Sequence, residues 1–227
     1  MTAMHSIRFP GESDEYRAER NNLLKEEIEL RQRIAEIAEL RRQLPLGGKV
    51  ETDYVFDEVN LQSGEVTQTA LADLFSPGKN SLIIYSFMFA PDAELPCPAC
   101  TCILDSTDAA ARHVTQRVNF VVSAKASTDK LLDWARQRGW QRLRLMSSGN
   151  NSYNKDYAAE TPGGDQIPAC NVFVKTPDGI YHFYSAELLY AGLEGHPRHM
   201  DLMWPVWNYF DLTPEGRGTD WLPGFDY

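Results

Sequence analysis

The sequence predicts an α/β sandwich with a mixed central sheet, carried beside an N-terminal helical arm. Three observations lead there. The run Ser81-Leu-Ile-Ile-Tyr-Ser-Phe-Met-Phe-Ala90 is almost continuously apolar, as a strand buried on both faces would be. Strand and helix signals alternate after it, the pattern of parallel strands joined by helices. Two further apolar stretches, 167–174 and 180–185, flank Lys175-Thr-Pro-Asp-Gly179, a turn sequence that closes an antiparallel hairpin.

Taken in order, the chain opens with a polar helix over residues 14–44. Leu23, Leu30, Ile37 and Leu44 recur every seven residues, and Leu24, Ile28, Ile34 and Leu40 widen the stripe. Glu and Arg fill the other positions at spacings that allow pairs such as Glu27–Arg31. Pro45 and Gly47-Gly48 stop it. We read residues 1–48 as an arm for packing or homodimerisation, and 49–227 as the folded domain with an aromatic C-terminal extension. Residues 50–56 alternate apolar and acidic side chains, predicting a half-exposed strand. Ser63-Gly64 predicts a turn, and 69–75 a short helical turn closed by Pro77-Gly78. Beyond the central strand, 103–113 reads as a helix and 117–123 as a second buried strand. Residues 127–138 form a helix capped by Ser127 and stopped by Gly139. A short strand is expected at 144–147 and a polar loop at 149–157. The stretch 200–210 is aromatic and interrupted by Pro205, suiting a cap over the core, a dimer contact or a lid.

Composition narrows the function classes. A hydrophobic fraction of 43% is enough for a core. A net charge of −10 argues against nucleic acid or an anionic membrane surface as a partner. No apolar stretch reaches the length of a membrane span, and the first residues lack the apolar core of a secretory signal. Four cysteines in 227 residues are no disulfide scaffold, so a cytoplasmic location is expected.

The chemistry lies in Pro91-Asp-Ala-Glu-Leu-Pro-Cys97-Pro98-Ala99-Cys100-Thr101-Cys102. A buried strand delivers two thiols to a helix N-terminus. There, unpaired N–H groups and the macrodipole favour a thiolate. Cys97 is placed at or just before the first turn and Pro98 inside it, where a missing N–H does no harm. Cys97 is therefore the expected nucleophile and Cys100, one turn on, the resolving thiol. Asp92 and Glu94 would oppose that acidity. Two other readings stay open. The thiols can be inert packed residues, or Cys97, Cys100, Cys102 and Cys170 can form a zinc or copper site. The first reading needs no cofactor. His113 ends a helix, where a cation suits the dipole. His196 and His199 flank Pro197-Arg198 on a loop, which is weak evidence for ligation.

Two layers of family resemblance add to this. Cys97-Pro98-Ala99-Cys100 resembles the active-site motif of glutaredoxins and thioredoxins, and Ile167-Pro168 before the hairpin resembles the thioredoxin cis-proline. That resemblance implies a thioredoxin-like three-layer α/β/α sandwich, with Pro98, Ile167 and Pro168 lining a substrate groove. It also implies a disulfide or oxidised-thiol substrate and a cellular thiol reductant, the work of a thiol-disulfide oxidoreductase or thiol-dependent reductase. The second layer spans nearly the whole chain. The charged N-terminal helix, Asp53-Tyr-Val-Phe56, Leu71-Ala-Asp-Leu-Phe75, Phe87-Met-Phe89, the cysteine motif and Tyr209-Phe-Asp-Leu-Thr-Pro-Glu-Gly-Arg217 together resemble the thioredoxin-like family catalogued as domain of unknown function 899. Peroxiredoxins, related to it, place Pro and Thr seven and three residues before their cysteine. Here Ala90 and Glu94 stand there, so the hydroxyl that assists a peroxide is missing.

Overall fold

The computed structural model describes residues 5–191, 203–216, 218 and 221–225. His196, His199 and Arg217 lie outside them, as does the start of the aromatic stretch. The chain divides into two compact units, Met1–Pro45 and Leu46–Tyr227.

The first unit is built on α1 (Asp14–Arg42), capped by Ser13, whose hydroxyl accepts the Tyr16 N–H at 3.0 Å. Asp14 and Glu15 open the helix and Arg41 and Arg42 close it, each complementing the macrodipole. Leu23, Leu30 and Leu40 of the apolar stripe are exposed. Glu27 pairs with Arg20 at 2.8 Å rather than with Arg31, and Arg33 pairs with Glu36 at 2.9 Å.

The second unit holds a seven-stranded sheet. Its strands are β1 (Val55–Val59), β2 (Val66–Ala70), β3 (Ser81–Ser86), β4 (Asn119–Ala124), β5 (Leu145–Ser147), β6 (Ala169–Thr176) and β7 (Gly179–Ser185). Their order is β2-β1-β5-β4-β3-β6-β7. β3, β4 and β5 run parallel, while β6 returns antiparallel beside β3 and β7 antiparallel beside β6. The helices are α2 (Pro98–Val114), α3 (Thr128–Arg138), α4 (Tyr153–Asp156) and α5 (Pro205–Asp211). The parallel centre and its antiparallel hairpin form a thioredoxin-like mixed sheet, with helices on both faces. Residues from α2, α3 and α5 share one cluster, including Ile103, Leu104, Leu131, Trp134 and Trp207. Tyr153 of α4 and the 3-10 turn Leu71–Leu74 pack on the other with Phe56, Ile84, Val121 and Phe173. The second helical layer is the thinner one.

The strand expected at 50–56 is split between the two sides of the sheet. Lys49 bridges Tyr181, and Val50 N–H donates to Ile180 O at 2.8 Å, so this end joins β7. The chain then passes to β1, burying Tyr54 on the way; its hydroxyl donates to Asp156 at 2.8 Å. Residues 69–70, expected in a helical turn, belong instead to β2, which pairs with β1 through a hairpin. Asn60 makes that turn: its side-chain oxygen accepts the N–H groups of Gln62 and Ser63 at 2.9 and 3.0 Å. Gly64, at φ 76°, takes the left-handed position.

Candidate active site

β3 ends at Ser86, but its line continues as an anchored loop. Phe87 N–H donates to Ser123 O at 2.8 Å, and Phe89 O accepts from Ala126 N–H at 2.9 Å. Both rings are buried. Met88 O then accepts the N–H of Cys97 at 3.0 Å, which folds residues 89–96 into a closed excursion. Lys130 of α3 holds that excursion by donating to Pro91 O at 2.6 Å and Ala93 O at 2.8 Å. Such charge-assisted bonds are stronger than neutral ones.

The loop ends with Cys97 as the N-cap of α2, at φ −66° and ψ 125°, and Pro98 follows inside the first turn. The Cys97 sulfur takes the place of a capping hydroxyl and accepts the Cys100 N–H at 3.5 Å. The helix begins at Pro98, as the sequence placed its first turn, and the pattern read over 103–113 continues it to Val114. Thr101 locks this turn: its N–H and hydroxyl both donate to Cys97 O, at 3.0 and 3.1 Å. The Thr101 oxygen in turn accepts the Trp134 indole at 3.3 Å.

The two thiols differ sharply. Cys97 is partly exposed and Cys100 is buried. A hydrogen bond from the Cys100 thiol lowers the Cys97 thiol to about 6. Burial opposes that shift, and the N–H groups of Cys100 and Ala99 support it. The same bond pushes Cys100 well above the usual thiol range, and burial adds to the effect. One sulfur is thus the more acidic and the more accessible, and the other keeps its proton behind it.

The other predicted residues fall as follows. Pro168 and Ile167 precede β6 at the end where Ala169 pairs with Ser86, the end of β3 from which the cysteine loop departs. No peptide bond among the described residues is cis, so the Ile167–Pro168 bond departs from the thioredoxin pattern. Cys170 is buried, lies opposite Tyr85 in the sheet, and has its thiol raised to about 11 by burial. Its sulfur approaches that of Met203 at 3.5 Å. Cys102 accepts the Trp204 indole N–H at 3.2 Å, and burial raises its thiol. Cys97 and Cys100 are thus brought together, while Cys102 and Cys170 turn to the aromatic C-terminal segment. Among the described residues no three His, Cys, Asp or Glu side chains converge as a metal site. His113 is exposed, and His182 packs beside Asn171 at 3.0 Å.

Sequence reasoning missed Lys130, Thr101 and Asp108. Buried Asp108 accepts the N–H groups of Gln141, Arg142 and Leu143 at 3.0, 2.7 and 3.1 Å, tying α2 to the start of β5. Only the polarity of Asp108 on an otherwise apolar helix face hinted at this; Lys130 carried no local signal.

Comparison with known proteins places the chain in a family. No curated protein matches the chain. Among solved structures, Plasmodium yoelii thioredoxin peroxidase I is 15% identical, with a TM-score of 0.48 over 79% of this chain and 100% of that one. The mitochondrial 2-cys peroxiredoxin of Plasmodium falciparum is 12% identical, with a TM-score of 0.48 over 74% and 95%. Peroxidoxin BcpB from Mycobacterium tuberculosis is 17% identical, with a TM-score of 0.44 over 61% and 83%. The family described as "Bacterial protein of unknown function (DUF899)" matches residues 6–227, so the chain belongs to that family.

Proposed function

We propose that the protein is a thiol-disulfide oxidoreductase, or more broadly a thiol-dependent reductase, working through Cys97 and Cys100. The observation that carries this reading is the capping sulfur: Cys97 is reachable, lowered to about 6 and backed by a buried thiol one turn on. In the reaction the Cys97 thiolate attacks one sulfur of a substrate disulfide. A Cys97–substrate bond forms, the substrate S–S bond breaks, and one substrate thiolate leaves and is protonated. Cys100 then loses its proton and attacks the Cys97 sulfur. The internal disulfide forms, and the second substrate half leaves as a thiolate that takes up a proton. Substrate gains two electrons and the protein's dithiol loses them. A cellular thiol reductant restores the dithiol. Pro98, Ile167 and Pro168 border the groove that receives the substrate, and the chemistry needs no cofactor.

A cytoplasmic setting suits four unpaired cysteines, and the exposed Leu23, Leu30 and Leu40 of α1 support homodimerisation through the arm. Sedimentation equilibrium tests that part: the double variant Leu23→Asp/Leu30→Asp is expected to be monomeric where the parent is a dimer, and a monomeric parent contradicts it. For the chemistry, C100S treated with a small aromatic disulfide should trap a covalent adduct on Cys97, whereas C97S should form none at neutral pH. Equal labelling of the two variants would remove Cys97 from its role.

A further inference from the structure

Tyr85 projects from β3 into the cluster shared with Cys100, Ile103 and Cys170. It is 0% exposed, and its cross-strand partner in β6 is Cys170. Its hydroxyl has no hydrogen-bond partner of good geometry among the described residues. A phenylalanine would fill the same space without stranding a polar atom, and a buried unpaired hydroxyl lowers stability. The titratable groups that act on that hydroxyl are thiols. Cys100 interacts with it most strongly, followed by Cys97 from the α2 cap and Cys170 from β6. A charged Cys100 sulfur can only accept from this hydroxyl, so the influence of Tyr85 on Cys100 favours the thiolate. The Met88 N–H supports it from the loop. None of these neighbours carries positive charge, so the stabilisation available to a Cys100 thiolate comes from donors such as these.

We infer that Tyr85 is a catalytic hydrogen-bond donor whose hydroxyl holds the Cys100 sulfur as a thiolate while Cys100 displaces the substrate from Cys97. The inference rests on the dithiol reading above. In the resting protein, Cys100 keeps its proton chiefly because it bonds to the Cys97 sulfur. Once Cys97 is tied up in a mixed disulfide, that sulfur is neutral and the bond is lost. Burial is then the main obstacle to ionising Cys100, and the Tyr85 hydroxyl is positioned against it. The Cys100 proton leaves to solvent, the Cys97–Cys100 bond forms, and the Cys97–substrate bond breaks. The departing thiolate is protonated from solvent; Tyr85 keeps its own proton throughout. The otherwise unexplained hydroxyl thereby gains a partner in the one step that needs it.

The test is stopped-flow reaction of the full chain with one equivalent of 5,5′-dithiobis(2-nitrobenzoate), comparing the parent with Y85F. The first chromophore reports attack by Cys97, and the second reports displacement by Cys100. For Y85F the first phase should be unchanged. The second should slow at least about tenfold at pH 7, as expected for loss of a hydrogen bond to a charged group. Its pH midpoint should move upward, with the same plateau once Cys100 is fully ionised. Y85F should also melt at the same temperature or higher, since it removes an unpaired buried hydroxyl. A second phase with unaltered rate and midpoint overturns the role of Tyr85 and leaves the dithiol reading intact. Slowing by one factor at every pH, together with a lower melting temperature, also overturns it, by marking Tyr85 as structural. A parent protein that releases a single chromophore overturns the dithiol reading itself, and the inference with it.

Discussion

At the scale of the residue, Cys97 is a helix cap that happens to be made of sulfur. A capping serine would accept the same N–H, but only a thiol turns that hydrogen bond into nucleophilicity. Reactivity requires the deprotonated form, so a thiol lowered to about 6 is largely ionised at pH 7 and is lost as a nucleophile below its midpoint. Alkylation of Cys97, followed by mass spectrometry across a pH series, should therefore rise through a midpoint near 6 and flatten above neutrality. Cys170, raised to about 11, should stay unlabelled in the native protein over that range. A Cys97 midpoint near the free-thiol value of about 8.5 would contradict the lowering by the Cys100 thiol and the cap N–H groups. The sequence made the position of Cys97 readable, because Pro98 and the spacing to Cys100 mark a helix start. The carboxylates Asp92 and Glu94, expected to oppose its acidity, do not figure among the causes of its shift. Local charge counting also had no view of Lys130, which donates to the backbone on either side of Asp92, at Pro91 O and Ala93 O.

At the scale of the element, the cysteine loop is rigid for reasons distributed across the chain. Lys130, distant in sequence, bonds two of its carbonyls and sits 5.9 Å from the Phe89 ring centroid. Lys130→Met should keep the stem's packing and lose both bonds. The expected outcome is faster hydrogen exchange through residues 91–97, with global stability lowered by about 1–3 kcal/mol. Unchanged exchange would show that Met88 and the buried phenylalanines hold the loop unaided. In the aromatic C-terminal segment two residues are core: Trp207 is fully buried and Trp204 nearly so, stacked edge-on at 5.0 Å, while Tyr209 is exposed. Trp207→Ala should cost about 3–5 kcal/mol in denaturant unfolding, whereas a peripheral lid would lose less than about 1 kcal/mol. Local pattern revealed β3, α3 and the β6–β7 hairpin: a continuous apolar run for β3, cap and stop signals for α3, and a turn sequence for the hairpin. It failed at β1 and β2. There, alternation extends through residues 50–54, whose pairing is decided by two distant strands, and a run of small polar residues conceals an edge strand. Helix α4 was read as loop because four residues are too few to show a period.

At the scale of the molecule, the sheet gathers distant segments around the thiols. β3 supplies the loop, α2 the cap, α3 the clamp, β6 the neighbouring thiol and the C-terminal segment the cover for Cys102 and Cys170. The mixed α/β class was legible because the order of strand, cysteine pair, helix, strand and hairpin is written along the chain. The thinness of the second helical layer was not, since Tyr54, Phe56 and Tyr153 fill with side chains what a longer helix would cover. The described part of the molecule has no helix long and apolar enough to cross a membrane. The proposed chemistry rests on whether Cys97 and Cys100 act as one redox unit. The most direct measurement is an intact mass and thiol count on the reduced and mildly oxidised protein, followed by peptide mapping. The account predicts that oxidation removes two hydrogens and two titratable thiols, joins the Cys97 and Cys100 positions, and is reversed by reductant. Four thiols that persist under the oxidant would contradict it, as would a bridge through Cys102 or Cys170 or thiols revealed only after chelation.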